Sequence, residues 1–271
     1  MKRFLELPAH GRLLVATDLQ GNLADFVQLS KHFRAAGPDA QLVITGDLVH
    51  GPDEATAQAW PDHLGTPYTD QSGALMDAFL EEQRRAPGRV HCLLGNHDHA
   101  HIGGPVTSKF HDDEAGVLEA TLGPERTQRL QALISTFPLV AWAPCGAVML
   151  HGAPSAEIRS AAQLEELVVD VYSGFDIERF MRVPILGAVL WSRMATDEQS
   201  RRFLAALKGT VALHGHDVVR DGYERVGDDQ LCFSTSFGLY DERKVYVSLD
   251  LGSKYPDVHA LREGVEILAL Y

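Results

Sequence analysis

Cysteine is scarce in this 271-residue chain. Cys92, Cys145 and Cys232 are odd in number and form no CxxC pair, which excludes a disulfide framework and a thiolate-held structural zinc. Cys92 lies within the apolar run Val90–Leu94, so buried, reduced thiols and a cytoplasmic setting are expected. Long hydrophobic runs are missing too. No stretch reaches membrane-spanning length, and the basic start Met1-Lys2-Arg3 is not followed by the apolar core of a signal peptide. Positive charge is in deficit, with 24 Lys and Arg against 37 Asp and Glu, a formal net charge of −13. A general binder of nucleic acid or of anionic membrane surfaces is therefore not expected, since long-range repulsion opposes it. There is no internal repeat, low-complexity tract, charge block or clear linker, and a single domain over residues 1–271 is expected.

What is present is a series of short apolar runs that end in polar, ligand-competent residues. Residues 12–17 (RLLVAT) read as a buried strand ending at Asp18, and residues 22–33 carry a helical apolar period. Residues 41–45 (QLVIT) read as a second strand ending at Gly46-Asp47. Residues 51–70, rich in Pro, Gly and Asp, read as a long surface loop, and 72–85 as a helix. Residues 89–94 read as a strand entering Gly95-Asn96-His97-Asp98. A polar stretch over 99–125 precedes a helix near 124–135. Two strands, 139–142 and 147–150, follow, the second ending at His151. Residues 155–209 are expected to form a mostly helical insert broken around Val183-Pro184. Residues 211–213 form a strand ending at His214-Gly215-His216, and residues 231–236 and 244–249 resemble a hairpin that closes a sheet. In open α/β sheets, sites lie outside the carboxyl ends of strands, and these spacings place one functional edge there.

The candidate ligands are carboxylates, amides and imidazoles without a thiolate. That mixture suits a hard or borderline divalent metal. Two cations a few ångströms apart repel one another and need a shared anion. Asp47, after a buried strand and a glycine, is the candidate bridge. Asp18 and Gln20 are assigned to one ion, and Asn96, His151 and His216 to the other. A water held between two such ions would lose a proton near neutral pH and act as the nucleophile. His97 is the candidate general acid for the leaving group, with Asp98 as a possible orienting partner, although a better one could come from the 46–51 loop. His99 and His101 continue the tract but are expected on the loop rim. Each segment alone is a plain turn or helix cap, and the conjunction of five at strand ends carries the inference.

These residues resemble the calcineurin-like metallophosphoesterases, whose pattern runs Asp-x-His, Gly-Asp, Gly-Asn-His-Asp/Glu, His and Gly-His. Here it reads Asp18-Leu19-Gln20, Gly46-Asp47, Gly95-Asn96-His97-Asp98, His151 and Gly215-His216, spread over residues 12–250. Residues 215–224 and Leu190-Trp191-Ser192 look like segments of the phosphoprotein-phosphatase branch, which includes Ser/Thr phosphatases. Gly46-Asp47-Leu48-Val49 also resembles the bacterial diadenosine-tetraphosphate hydrolases of that branch. The resemblance implies an α/β fold of two mixed β-sheets packed as a sandwich and flanked by helices. It also implies two divalent metal ions of the Mn, Fe or Zn kind, manganese among them.

Three departures stand out. Gln20 replaces the histidine of Asp-x-His. His50 stands where the branch has the aspartate that orients the acid histidine, and the arginine after it is absent. The second phosphate-binding arginine is not obvious, and Arg193 is the nearest candidate. His50 and Arg193 are accordingly assigned to substrate binding. His214 shares a strand face with His216 and is a further candidate metal ligand. The expected function is a metal-dependent phosphomonoesterase acting on a phosphorylated substrate, phosphoprotein Ser/Thr first. The alternatives are a diadenosine polyphosphate or other small phosphoester hydrolase, or a weakened metal-binding module for a phosphorylated ligand.

Overall fold

The computed structural model describes residues 2–271. Its elements in chain order begin with β1 (Phe4–Glu6), β2 (Arg12–Ala16), α1 (Leu23–Ala35), β3 (Gln41–Ile44), α2 (Glu54–Gln58), α3 (Ser72–Arg85), β4 (Val90–Cys92) and α4 (Asn96–His99). There follow α5 (Glu114–Ile134), β5 (Val140–Trp142), β6 (Ala147–Leu150), α6 (Ala162–Glu165), α7 (Ile177–Met181), α8 (Leu186–Trp191) and α9 (Asp197–Leu207). The chain closes with β7 (Val211–His214), β8 (Tyr223–Val226), β9 (Gln230–Phe233), β10 (Val245–Asp250) and β11 (Ile267–Ala269).

The strands form two mixed sheets, ordered β1-β5-β6-β7-β9-β8 and β11-β10-β2-β3-β4. Side chains alternate across a strand, so a strand buried on both faces reads as a continuous apolar run. The run Leu13-Leu14-Val15-Ala16 shows this. Leu13 and Val15 join Val43, Met149, Leu213, Phe233 and Val247 in the core between the sheets. Leu14 and Ala16 point the other way, into the layer that holds Phe26, Leu29 and Phe33 of α1 and Met76 and Phe79 of α3. On the other sheet, Val148, Leu150 and Ala212 belong to the same outer cluster as Val189, Leu190, Phe203 and Leu207 of α8 and α9. The result is a sheet-on-sheet sandwich between helical layers.

The parallel pairings β2–β3, β3–β4 and β6–β7 aim their carboxyl ends at one edge. Asp18, Asp47, Asn96, His151 and His216 follow those ends.

Several expectations need correction. The runs at 231–236 and 244–249 do not pair with each other. β9 lies in the six-stranded sheet between β7 and β8, while β10 crosses to the other sheet and pairs antiparallel with β2, Val247 opposite Val15. Both runs have the same apolar alternation, which specifies burial but not a partner. The hairpin partner of β9 is β8, whose half-exposed Tyr-Glu-Arg-Val is too polar to stand out. The 51–70 loop contains the short α2, capped by Asp53. α5 begins ten residues before the expected start and spans Gly123-Pro124, where Gly123 adopts φ 74° and kinks it. The 155–209 segment is four short helices joined by irregular chain, with Ile185 at φ 64° beside the expected break.

Candidate metal centre

Tight turns carry the site residues at the strand ends. Asp18, Gln20, Asp47, His50 and His216 all adopt left-handed backbone, with φ between 40° and 71°. Such conformations are costly for residues with a side chain and persist only when the surroundings hold them. Two glycines make the closest approach possible. A Cβ on Gly95 would lie 2.2 Å from the Asp47 nitrogen, and one on Gly46 (φ 114°) would lie 2.7 Å from the Gly95 Cα. The β3 and β4 turns therefore touch backbone to backbone.

Asp98 uses that contact. Its carboxylate accepts the N–H groups of Asp47 (2.8 Å), Leu48 (3.0 Å) and Gly95 (3.1 Å). These oxygens thus pin the loop that carries Asp47, and Asp98 is turned to backbone N–H groups and not to the His97 ring. Burial and the neighbouring Asp47 push the Asp98 carboxyl up to about 8, against the pull of those three N–H groups. Asp47 moves the other way. Burial would raise it, but the imidazoles of His151, His97 and His216 outweigh that and hold it well below the usual carboxylate range. Asp18 is raised to about 6 by burial, with His151 opposing and Asp47 adding to the rise.

Three side chains converge beside Asp47. His151 Nε2 lies 2.8 Å from Asn96 Oδ1, 3.0 Å from His216 Nδ1 and 3.5 Å from Asp47 Oδ1. The other ring nitrogen, Nδ1, faces the Thr45 carbonyl at 3.1 Å, so it carries the proton and Nε2 presents a lone pair. A ring lone pair, an amide oxygen and a carboxylate then aim at one another, and His216 Nδ1 is the one ring nitrogen beside His151 Nε2 that can put a hydrogen among them. Acceptors crowded in this way repel unless a cation lies among them, so the quartet Asp47, Asn96, His151 and His216 fits a divalent ion of the N/O-preferring kind.

A second group of metal-competent side chains, His50, His97 and Glu114, sits behind the first. His97 Nδ1 lies 3.1 Å from His50 Nδ1 and 3.2 Å from Glu114 Oε2. The chain of contacts continues from His50 Nε2 to His101 Nε2 (2.9 Å) and from His101 Nδ1 to Glu119 (2.8 Å). A carboxylate only accepts, so His101 Nδ1 carries a hydrogen, and His50 Nε2 donates to His101. That leaves His50 Nδ1 as an acceptor for His97. Burial, with His97 and His101 beside it, holds His50 well below the ordinary histidine value and keeps it neutral. His97 has its back to this chain and leaves Nε2 available to the cleft that it lines.

That cleft encloses about 280 Å³ and is walled by Gln20, Asp47, Asn96, His97, Lys109, Trp191, Arg193 and His216, among others. Arg193 is fixed there, donating through Nη1 to the His216 carbonyl (2.8 Å) and to Asp217 (3.0 Å). The structure thus brings Asp18, Gln20, Asp47, Asn96, His97, His151, Arg193 and His216 to one edge. It does not bring His50 or His214 to the cleft. His50 is buried behind His97. His214, with burial lowering it to about 4, lines a separate cavity with Asp217 and Arg220, and its Nε2 has no partner. Nor are His99 and His101 rim residues: both are buried, and His99 Nε2 donates to the Val169 carbonyl (2.6 Å). Lys109 and Glu114 went unnoticed in the sequence, because they lie in a polar stretch without a motif. The dense His97-Asp98-His99-Ala100-His101 tract was the one signal that an inner layer existed.

Comparison with known proteins agrees with this arrangement. The family model for calcineurin-like phosphoesterases matches residues 11–220. No curated protein matches the chain. Among solved structures, a protein serine/threonine phosphatase from Saccharomyces cerevisiae, described as similar to human phosphatase PP5, superposes with a TM-score of 0.65 at 14% identity, covering 92% of this chain and 77% of its own. The cold-active protein-tyrosine phosphatase of a psychrophilic Shewanella species gives 0.59 at 14% identity, covering 93% and 78%. Both show the fold. Members of the matched family depend on a dinuclear metal centre.

Proposed function

We propose a phosphomonoesterase activity on the premise that the chain belongs to the calcineurin-like phosphoesterase family, hydrolases of phosphoesters. The observation that carries the proposal is the pairing, across one small cleft, of the acceptor quartet around His151 with the buttressed imidazole of His97. The quartet would hold a divalent ion, which when bound supplies a Lewis acid for the phosphoryl group and lowers the pKa of water. The chain's own groups do the rest. Arg193, anchored by His216 and Asp217, offers its remaining N–H groups to phosphoryl oxygens. His97, fixed from behind by Glu114 and His50, delivers a proton from Nε2 to the departing alkoxide. Asp98 keeps the Asp47 loop in register.

A cleft of about 280 Å³ accommodates a phosphoryl group and the first atoms of its leaving group, with the remainder outside. That supports a monoester on a larger molecule, and phosphoserine or phosphothreonine side chains are the proposed substrate class. The test is hydrolysis of p-nitrophenyl phosphate by the full chain with added Mn, Fe or Zn, against an Asp47→Asn control. Turnover that falls at least about 100-fold in the control supports the reading. Turnover no greater than the control with every metal would overturn it. Phosphoserine, phosphotyrosine and diadenosine-tetraphosphate substrates, compared by kcat/KM, then decide the class.

A further inference from the structure

The family's other ion would need Asp18, Gln20 and Asp47, and this trio does not fit one. Gln20 is turned the wrong way. Its Nε2 donates to Asp47 Oδ2 (3.3 Å), so amide hydrogens, not a lone pair, point at the shared carboxylate. Its Oε1, the atom that could have bound a cation, already accepts from the Lys109 ammonium at 2.8 Å. Lys109 comes from an exposed loop, but its amine reaches inward over the Phe237 ring, 4.1 Å from the centroid. There it stands in the field of Asp47, Glu114 and Asp18 together.

From this geometry we infer that the Lys109 ammonium, relayed through Gln20, occupies the electrostatic place of the first metal, so that the chain holds one ion where the family holds two. The inference rests on the quartet reading above. Asp18 and Asp47 are two buried carboxylates at close quarters, and such a pair demands a positive partner. The Gln20 amide donates to Asp47, and the Lys109 ammonium behind it, hydrogen-bonded to Gln20 Oε1, supplies the charge. A divalent ion placed in the same trio would face the ammonium and the amide hydrogens at short range, with no imidazole to bind it. The departure at Gln20 and the inward-reaching Lys109 are then one arrangement, an amide in the place of an imidazole and an ammonium in the place of the ion.

The ratio of metal to chain tests this without reference to turnover. The full chain, stripped with chelator, saturated with Mn²⁺ and desalted, is expected to retain about one ion by elemental analysis, with the six-line resonance of an isolated Mn²⁺ centre. Asn96→Ala should bring the ratio near zero, and Gln20→His combined with Lys109→Met should raise it to about two, with an exchange-coupled signal. Two ions in the natural chain, or one that survives Asn96→Ala, would overturn the inference. So would a folded double variant that still holds one, and if that variant fails to fold, the natural chain and Asn96→Ala decide alone. A chain that binds one ion and hydrolyses no phosphoester would defeat the proposed function while leaving this inference standing. A chain that binds two and is active would do the reverse.

Discussion

The Glu114 carboxylate lies 3.2 Å from His97 Nδ1, joining the first residue of α5 to the ring that faces the cleft. Glu114 Oε1 also accepts from the Phe110 N–H (3.2 Å), and Glu114 is buried, so its position is fixed from both sides. Burial tends to raise its pKa, but His97 and Thr107 more than offset this and keep it ionised. Glu114→Gln removes the charge that orients the His97 ring. Its kcat is expected to fall about 10–100-fold with little change in KM. Because a general acid matters most for poor leaving groups, the loss should be larger with an alkyl phosphate than with p-nitrophenyl phosphate. Equal losses on both substrates would show that Glu114 does not act through His97.

Gly95 is one of the tight points of the site. A methyl group there would sit 2.2 Å from both the nitrogen and Oδ1 of Asp47. Gly95→Ala must push the β3 and β4 turns apart, at a cost of about 1–3 kcal/mol, and it displaces the carboxylate that the quartet shares. We expect Mn²⁺ affinity to drop at least about tenfold, measured by calorimetric titration, while the circular dichroism spectrum keeps its native shape. Unchanged affinity would mean that the turns are looser than their packing implies.

Lys244 and Asp25 form an ion pair at 2.8 Å with side-chain exposures of 2% and 1%. Asn22, Ser236 and Tyr271 also donate to Asp25, so the pair knots the start of α1, the 234–244 crossover and the chain's last residue together. Removing one member of a buried pair strands the other. Lys244→Met is predicted to lower unfolding free energy by about 3–5 kcal/mol. Urea denaturation measures it, and a loss under about 1 kcal/mol would place the pair in a wetter setting than its burial indicates.

His99 gives a pH dependence that is independent of the metal centre. Burial pushes its folded-state pKa from 6.5 down to about 4. Between those values the unfolded chain binds the proton and the folded chain does not. The stabilisation is therefore complete above pH 6.5 and drains away as the pH falls toward 4, by up to about 3 kcal/mol. His99→Gln, which preserves an N–H for the Val169 carbonyl, should flatten the decline by as much as one proton's worth of slope. Parallel curves of urea midpoint against pH for the two chains would refute this.

The apolar runs that became β2, β3, β4, β6 and β7 were legible because each is buried and ends in a turn that carries polar, ligand-competent residues. The same logic exposed Asp18, Asp47, Asn96, His151 and His216. Strand partners were not legible. The 231–236 and 244–249 runs satisfy two different sheets equally well, and only the packing of Val247 opposite Val15 separates them. Lys109 and Glu114 were invisible for another reason: they reach the centre from a neighbouring loop and helix, so their meaning depends on distances and not on sequence spacing. His214 shows the limit of periodicity. It does share a strand with the turn that bears His216, but the left-handed twist at His216 (φ 66°) ends the alternation that would have put both rings on one side.

Among the described residues, five of the seven non-glycine residues with left-handed backbone belong to this centre and its immediate surroundings. Each gives up on the order of 1 kcal/mol relative to glycine at the same place. On the proposed function, replacements that relieve the strain at Asp18, Asp47 or His216 are thus the ones expected to abolish the chemistry. A lineage of this protein selected only for heat resistance would drift toward glycine at these turns and become sturdier and inert.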